Sequence, residues 1–436
     1  GVDKSKPHVS YLVTNGTLDD TVRVQIVDLN ESKWKATPLQ VWTRGDLLNN
    51  FLTMANGIFP ADAETYKQLT DLMFADSTSL PDIEQINSFF QKILNPNEKS
   101  PKEQRRRDIA AVMLYANLIV GPYRMKGNHV SVIRVATLLV SQIMLIVDRY
   151  NLEDQYWLES YEIIQRDILT TAEALELEIE NDEFTKAFTS PLDRDTMPLR
   201  KHMALLYVFA LKLAELITND DSWKTIERPE MAARYKDCMS VWGEASFIPL
   251  IFLAFIAKKF SNDGKEQSYK VLASIVTYIL ALNGRKSKNP PGLLPPYYDA
   301  DFAVKVAFGL LDEEMEEDYK YNSYYLKPII ETLARGGAKD VLVQNWQEIS
   351  FMRFEQFVLP EDWRYYLWRS EDGDNETMLP KNQQSWKELV EMGQKIKGDK
   401  LPKTLKRFPI FVPFFLALFA HRLDSETLGF LDKITT

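Results

Sequence analysis

Cysteine is nearly missing from this chain: Cys238 is the only one in 436 residues. That excludes an internal disulfide framework and a thiolate-based zinc site, and it fits a reducing cytoplasm. Histidine is scarce as well. His8, His129, His202 and His421 are far apart, and no pair has the i, i+4 spacing of a helical metal site. Read singly, all four are surface or capping residues. No glycine-rich phosphate loop occurs, because Gly336-Gly337 lacks a following Lys-Ser/Thr or a third glycine, and no nucleophile-elbow motif is present. The most apolar runs, 247–257 and 408–420, contain proline and fall short of the ~20 residues a membrane span requires. The sequence therefore predicts no membrane partner. A net charge of −10 disfavours a general polyanion-binding surface. No fixed-period repeat is present, which argues against a regular solenoid.

What the chain does have is helical periodicity. Hydrophobic residues make up 45% and charged residues 26%, as in ordinary globular proteins. The clearest period covers 130–150, where Val132, Val135, Ala136, Leu139, Val140, Ile143, Ile146 and Val147 share one face and Ile133, Leu138 and Leu145 extend it. This is the expected central helix. Further helices are predicted over 61–74, 82–94, 103–120 (halted at Gly121-Pro122), 152–183, 199–217, 230–241, 247–260, 267–282, 300–311, 324–334, 385–396 and 408–423. Arg364 to Trp368 has strand composition and is followed by turn chemistry at 371–374, which predicts a hairpin. A polar, Pro-bracketed connector at 95–101 and a Pro- and Gly-rich one at 284–296 mark boundaries, and three regions are expected: a partial α/β unit over 1–57, a helical domain over 58–285 and a C-terminal helical region over 286–436. The fold expected is mainly α, a multi-helix body with a small N-terminal parallel βαβα unit and a β-hairpin near residue 370.

The N-terminal unit is the stretch that points towards a function. Residues 9–13 read as a strand closed by Asn15-Gly16, and Thr17 with Asp20 can cap the helix that follows. Val22, Ile26 and Leu29 give that helix an apolar face. Leu39, Val41 and Trp42 form a second strand, and Asp46 caps a helix carrying Leu47, Leu48, Phe51 and Leu52. A crossover of this length makes the strands parallel, and parallel sheets need neighbours that the next three hundred or so residues do not encode. The expectation is that the chain is a fragment of a longer protein. YLVTNG, a helix, LQVW and GDLLNNFL resemble the C-terminal half of the restriction-endonuclease-like (Mrr-type) nuclease domain, over about 45 residues. The resemblance implies a parent protein acting on DNA in restriction or phage defence. In that family an Asp and a Glu-x-Lys or Gln-x-Lys on preceding strands hold a divalent metal. The expectation is accordingly that the parent uses such a metal, while this chain carries no catalytic, metal or cofactor residues.

Glu31-Ser32-Lys33 is the chain's sole Glu-x-Lys. It follows a helix, whereas a nuclease metal site wants the pair on a strand edge facing an Asp. Arg105, Arg106, Arg107, Arg124 and Lys126 are the candidate nucleic-acid-binding residues, since cations at a helix N-terminus oppose the dipole and could be held there for phosphate. The competing explanation is an exposed face pairing with the acid-rich 152–183 helix. Tyr297, Tyr298, Tyr324, Tyr325, Trp363, Tyr365, Tyr366 and Trp368 crowd the last third and suit packing or a small-molecule or peptide pocket. The functional expectation is the helical sensing or regulatory region of a DNA-directed defence protein. The alternative is a non-enzymatic helical scaffold that binds a protein partner or a second copy.

Overall fold

Every residue from 130 to 147 is buried, so the helix with the clearest period in the sequence is also the one its neighbours surround. In the computed structural model the described residues are 10–14, 18–35, 37–43, 46, 63–94, 99–181, 191–218, 241–260, 263–285, 287, 292–298, 302, 319–359, 361–368, 374–378 and 385–435. The chain forms two compact units, Gly1–Thr70 and Asp71–Thr436, and helix is the dominant structure.

In the first unit β1 (Ser10–Val13), α1 (Asp20–Ser32) and β2 (Leu39–Trp42) follow in order. The strands pair in parallel, Ser10 opposite Leu39 and Val13 opposite Trp42, as the crossover length requires. The N-cap of α1 is Asp19 and not Thr17: its carboxylate accepts the Thr21 amide at 2.8 Å. At the other end of α1 the Asn30 side chain clamps the backbone of β2, accepting the Leu39 amide at 2.7 Å and donating to the Leu39 carbonyl at 2.8 Å. Among the described residues this sheet has only these two strands. The helix predicted over 47–52 lies outside the described residues.

The second unit is helical. Its helices are α3 (Ile83–Leu94), α4 (Lys102–Met125), α5 (His129–Tyr150), α6 (Leu158–Glu180), α7 (Pro191–Ile217), α8 (Ile248–Phe260) and α9 (Gly264–Asn283). Helix α2 (Ala63–Met73) spans the boundary between the units. Two prolines fail to break helices as the sequence suggested. Helix α4 runs through Pro122, where glycine at 121 removes the Cβ that a proline ring would meet. Helix α7 starts at Pro191, a position needing no amide donor, and continues through Pro198. Helix α5 also corrects a reading: it is long and apolar enough to cross a membrane, but that stretch is wholly buried inside the protein. The helices predicted over 230–241 and 300–311 lie outside the described residues, the ends at 241 and 302 apart.

The C-terminal part adds α10 (Leu326–Gly336), α11 (Lys339–Ile349), α12 (Trp386–Lys395), α13 (Lys403–Arg407), α14 (Val412–Leu418) and α15 (Ser425–Ile434) around a three-stranded sheet. In that sheet β3 (Asn322–Ser323) pairs in parallel with β4 (Arg353–Val358), and β4 pairs antiparallel with β5 (Asp374–Met378). The predicted antiparallel pair exists, but its first strand is not Arg364 to Trp368. Tyr365 and Tyr366 belong instead to a buried 3-10 turn, because each ring packs on Phe415. The single helix expected over 408–423 is cut into a 3-10 turn, α14 and a second 3-10 turn, and α15 follows where none was predicted.

Candidate functional site

The basic residues singled out from the sequence do not form one patch. Arg105 is 2% exposed, with its guanidinium 3.3 Å from the centre of the Tyr150 ring. Arg106 and Arg107 are exposed beside it. Arg124 and Lys126 sit at the far end of α4, which continues past Pro122 and so separates the two groups by roughly 28 Å at the helical rise. Arg124 pairs with Asp167 of α6, and Lys102 pairs with Glu153. These pairs match the competing explanation, in which basic residues face the acidic 152–183 stretch. Glu31-Ser32-Lys33 lies exposed at the C-terminal end of α1. His129 opens α5 with Nδ1 2.9 Å from the Glu178 carboxylate. His202 is fully buried and meets the Trp242 ring at 4.7 Å, so the surface reading fails for it. His8 lies outside the described residues. Among the described residues no group of three or more His, Cys, Asp or Glu is placed to hold a metal ion.

A polar cavity of the second unit lies elsewhere, where the C-terminal sheet meets the segment before α8 and the end of α9. It has a volume of ≈ 310 Å³ and is lined by residues that include Glu244, Asn283, Tyr297, Tyr324, Arg353 and Glu355. Local backbone pairing builds it. The Glu244 amide donates to the Leu294 carbonyl at 2.9 Å, and a Cβ on Gly243 would stand 2.7 Å from that same oxygen. The approach demands glycine. Asn283, 1% exposed at the end of α9, accepts the Leu293 amide at 2.6 Å and donates to the Asn322 carbonyl at 2.8 Å. It thereby holds two walls together. Arg353 and Glu355 are two apart on β4 and so face the same side. Thr377 stands directly opposite Glu355 and donates to it at 2.9 Å.

Glu244 is 1% exposed. One carboxylate oxygen accepts the Ser323 hydroxyl, and the other accepts the Tyr324 amide at 2.8 Å. Burial pushes its carboxyl up to about 7, hydrogen bonds from Ser323, Tyr324 and Tyr325 oppose this, and Glu355 adds to the rise. A carboxyl that titrates near neutrality inside a polar cavity has the character of a functional group.

Aromatic rings close the rim. Tyr324 stacks on Phe357 at 5.2 Å, and Tyr297 meets both edge-on at 6.1 Å. A second, smaller chamber of ≈ 30 Å³ adjoins and shares Tyr324 and Glu355 with the first; Lys327, Tyr365, Arg422 and Asp424 help to line it. The aromatic crowding near the C-terminus was legible in the sequence. The carboxylates, Asn283 and Arg422 were not, because they come from segments far apart in the chain with no shared motif. The alternation in Arg353–Val358 was the one signal that could have flagged Glu355, since it sets a charged residue among apolar neighbours on a strand.

Comparison with known families, characterised proteins and solved structures gives no match to this chain. The geometry of the cleft therefore carries the functional reading.

Proposed function

We propose that this chain is the helical sensing or regulatory region of a DNA-directed protein of the restriction or phage-defence type, working in the cytoplasm, and that its trigger is a small polar molecule bound in the cleft around Glu244 and Glu355. The observation that carries the sensing half is the cleft itself: a concave, aromatic-rimmed space of ligand size with two buried carboxylates and convergent backbone and amide groups. The DNA-directed half rests on the sequence resemblance of the β1–α1–β2 segment. In the family that the segment resembles, a divalent metal serves a nuclease site on other strands, and the helical region would gate that activity.

Native mass spectrometry of the purified chain tests the sensing half. A small non-covalent adduct is expected, and it should be lost in Glu355→Gln and in Tyr297→Ala. Protein that carries no adduct, and whose stability does not respond to a cell-metabolite extract, would remove the sensing reading.

A second reading is a scaffold that takes a partner strand at the small N-terminal sheet. It is favoured by Tyr11, Leu12 and Val13 of β1, which are 51%, 40% and 56% exposed. An unpaired strand edge with large apolar side chains is a ready template for another strand. Light scattering that finds a strict monomer would count against this reading.

A further inference from the structure

Among the described residues, Arg422, Lys327, Glu244 and Glu355 line the two chambers and make no direct ion pair. Arg422 is 3% exposed; its guanidinium donates to the Leu367 carbonyl at 3.1 Å, and among the described residues it makes no direct ion pair and its Nε has no hydrogen-bond partner. Burial lowers its pKa to about 10, against the opposing pull of Tyr365 and Asp424. Lys327, in the same chamber, donates to the Gln356 side-chain oxygen at 3.0 Å and touches the Met378 sulfur at 3.4 Å; among the described residues it makes no direct ion pair, and the buried Glu331 carboxylate attracts it from further off. Asp424 lines this chamber too and attracts Arg422; its carboxylate accepts the Thr427 amide at 2.7 Å and hydroxyl at 2.6 Å, and burial raises its pKa. On the other side, Glu244 and Glu355 are buried and, among the described residues, accept from neutral donors. Arg353, which lines the larger chamber, is exposed and forms no ion pair with either.

Buried charges are ordinarily paired, because taking a charge out of water is costly. Here Glu244 and Glu355 on one side, and Arg422 and Lys327 on the other, line two adjoining chambers without a direct ion pair among the described residues. Asp424 and Glu331 act on the two cations at longer range, and Glu244, at about 7, is partly protonated near neutral pH. We propose that the chambers together take one small zwitterion of the α-amino-acid type, its ammonium group among Glu355, Glu244 and the Tyr297 and Tyr324 rings and its carboxylate at Arg422 and Lys327. The rings suit a cation, which the faces of aromatic side chains attract. The small volume of the second chamber suits a compact anionic group and excludes a polyphosphate. This inference rests on the sensing reading above and names its ligand class.

The test titrates the purified chain with each common free α-amino acid at millimolar concentration, followed by thermal shift and calorimetry. At least one should bind and raise the Tm. Its methyl ester, which lacks the carboxylate charge, and its N-acetyl form, which lacks the ammonium, should each bind at least about tenfold more weakly. Glu355→Gln keeps an acceptor for Thr377 and should weaken binding by a similar factor without loss of fold. The proposal is overturned if no amino acid binds, if the blocked derivatives bind equally well, or if Glu355→Gln binds unchanged. A nucleotide, sugar or polyamine released from the native protein would also overturn it, yet leave the sensing reading standing; absence of any bound or binding small molecule removes both.

Discussion

The Tyr366 hydroxyl lies 3.1 Å from the Asp148 carboxylate and donates to it, while accepting the Leu405 amide at 3.1 Å. Asp148 also accepts the Thr404 hydroxyl, so one carboxylate near the end of α5 fixes the start of α13 and the turn carrying Tyr366. Tyr366→Phe leaves the Leu405 amide without its acceptor and Asp148 short of a donor. Chemical denaturation should register a loss of about 1–3 kcal/mol, the scale of leaving a buried polar group unsatisfied.

Ile143 sits fully buried on α5. Its truncation in Ile143→Ala should destabilise by about 2–5 kcal/mol, as large-to-small changes in close-packed cores do. A variant within experimental error of the wild type in urea melts would show that α5 is not the packing centre.

Arg105 and its neighbours separate two roles. Arg105→Ala removes a desolvated cation–π contact with Tyr150 and should lower the Tm, the contact being worth about 2 kcal/mol. Arg106→Ala and Arg107→Ala alter exposed side chains and should stay within about 0.5 kcal/mol of the wild type. If duplex DNA binds through this end of α4, gel-shift affinity should fall in the exposed variants. In Arg105→Ala the loss should follow folding alone.

These cases also show where the sequence was informative. A repeating helical period set α5 correctly, because its eight same-face positions report burial directly. Gly337 ends α10 in the left-handed conformation, and Ser385 with Glu388 forms a capping box at α12, so local chemistry fixed those ends. Pro122 misled because a local breaker was outweighed by tertiary packing of both halves of α4. Tyr365 and Tyr366 misled for a related reason: a β-rich composition describes aromatic burial as well as it describes a strand. The cleft was hidden because its residues meet only through pairings such as Gly243 with Leu294 and β3 with β4, which no local period encodes.

Gly243 makes one of those pairings possible. Gly243→Ala would place a Cβ 2.7 Å from the Leu294 carbonyl oxygen and 2.8 Å from its Cβ. The backbone must shift, at about 1–3 kcal/mol by analogy with overpacked sites. Differential scanning calorimetry should show a lowered Tm, and the shift should displace Glu244 from the cleft wall.

Glu244 gives the cleft a pH signature. Its folded-state carboxyl lies at about 7, against an ordinary value of 4.5, so the folded chain binds the extra proton between those values. The associated stability is fully present below about 4.5 and is lost as pH rises through about 7, for a total of about 3 kcal/mol. Glu244→Gln mimics the protonated form. Denaturation measured at pH 5 and at pH 8 should show the wild type losing stability relative to Glu244→Gln across that interval. Parallel pH profiles would place the carboxyl at its ordinary value.

Hydrogen exchange by mass spectrometry, with and without a cell-metabolite extract, tests the sensing cleft most directly. Slower exchange is expected, confined to the segments that build the cleft, 241–247, 292–298, 319–325 and 353–359, with that protection lost in Glu355→Gln. Protection confined to other segments, or exchange unaffected by any extract, would contradict the sensing reading.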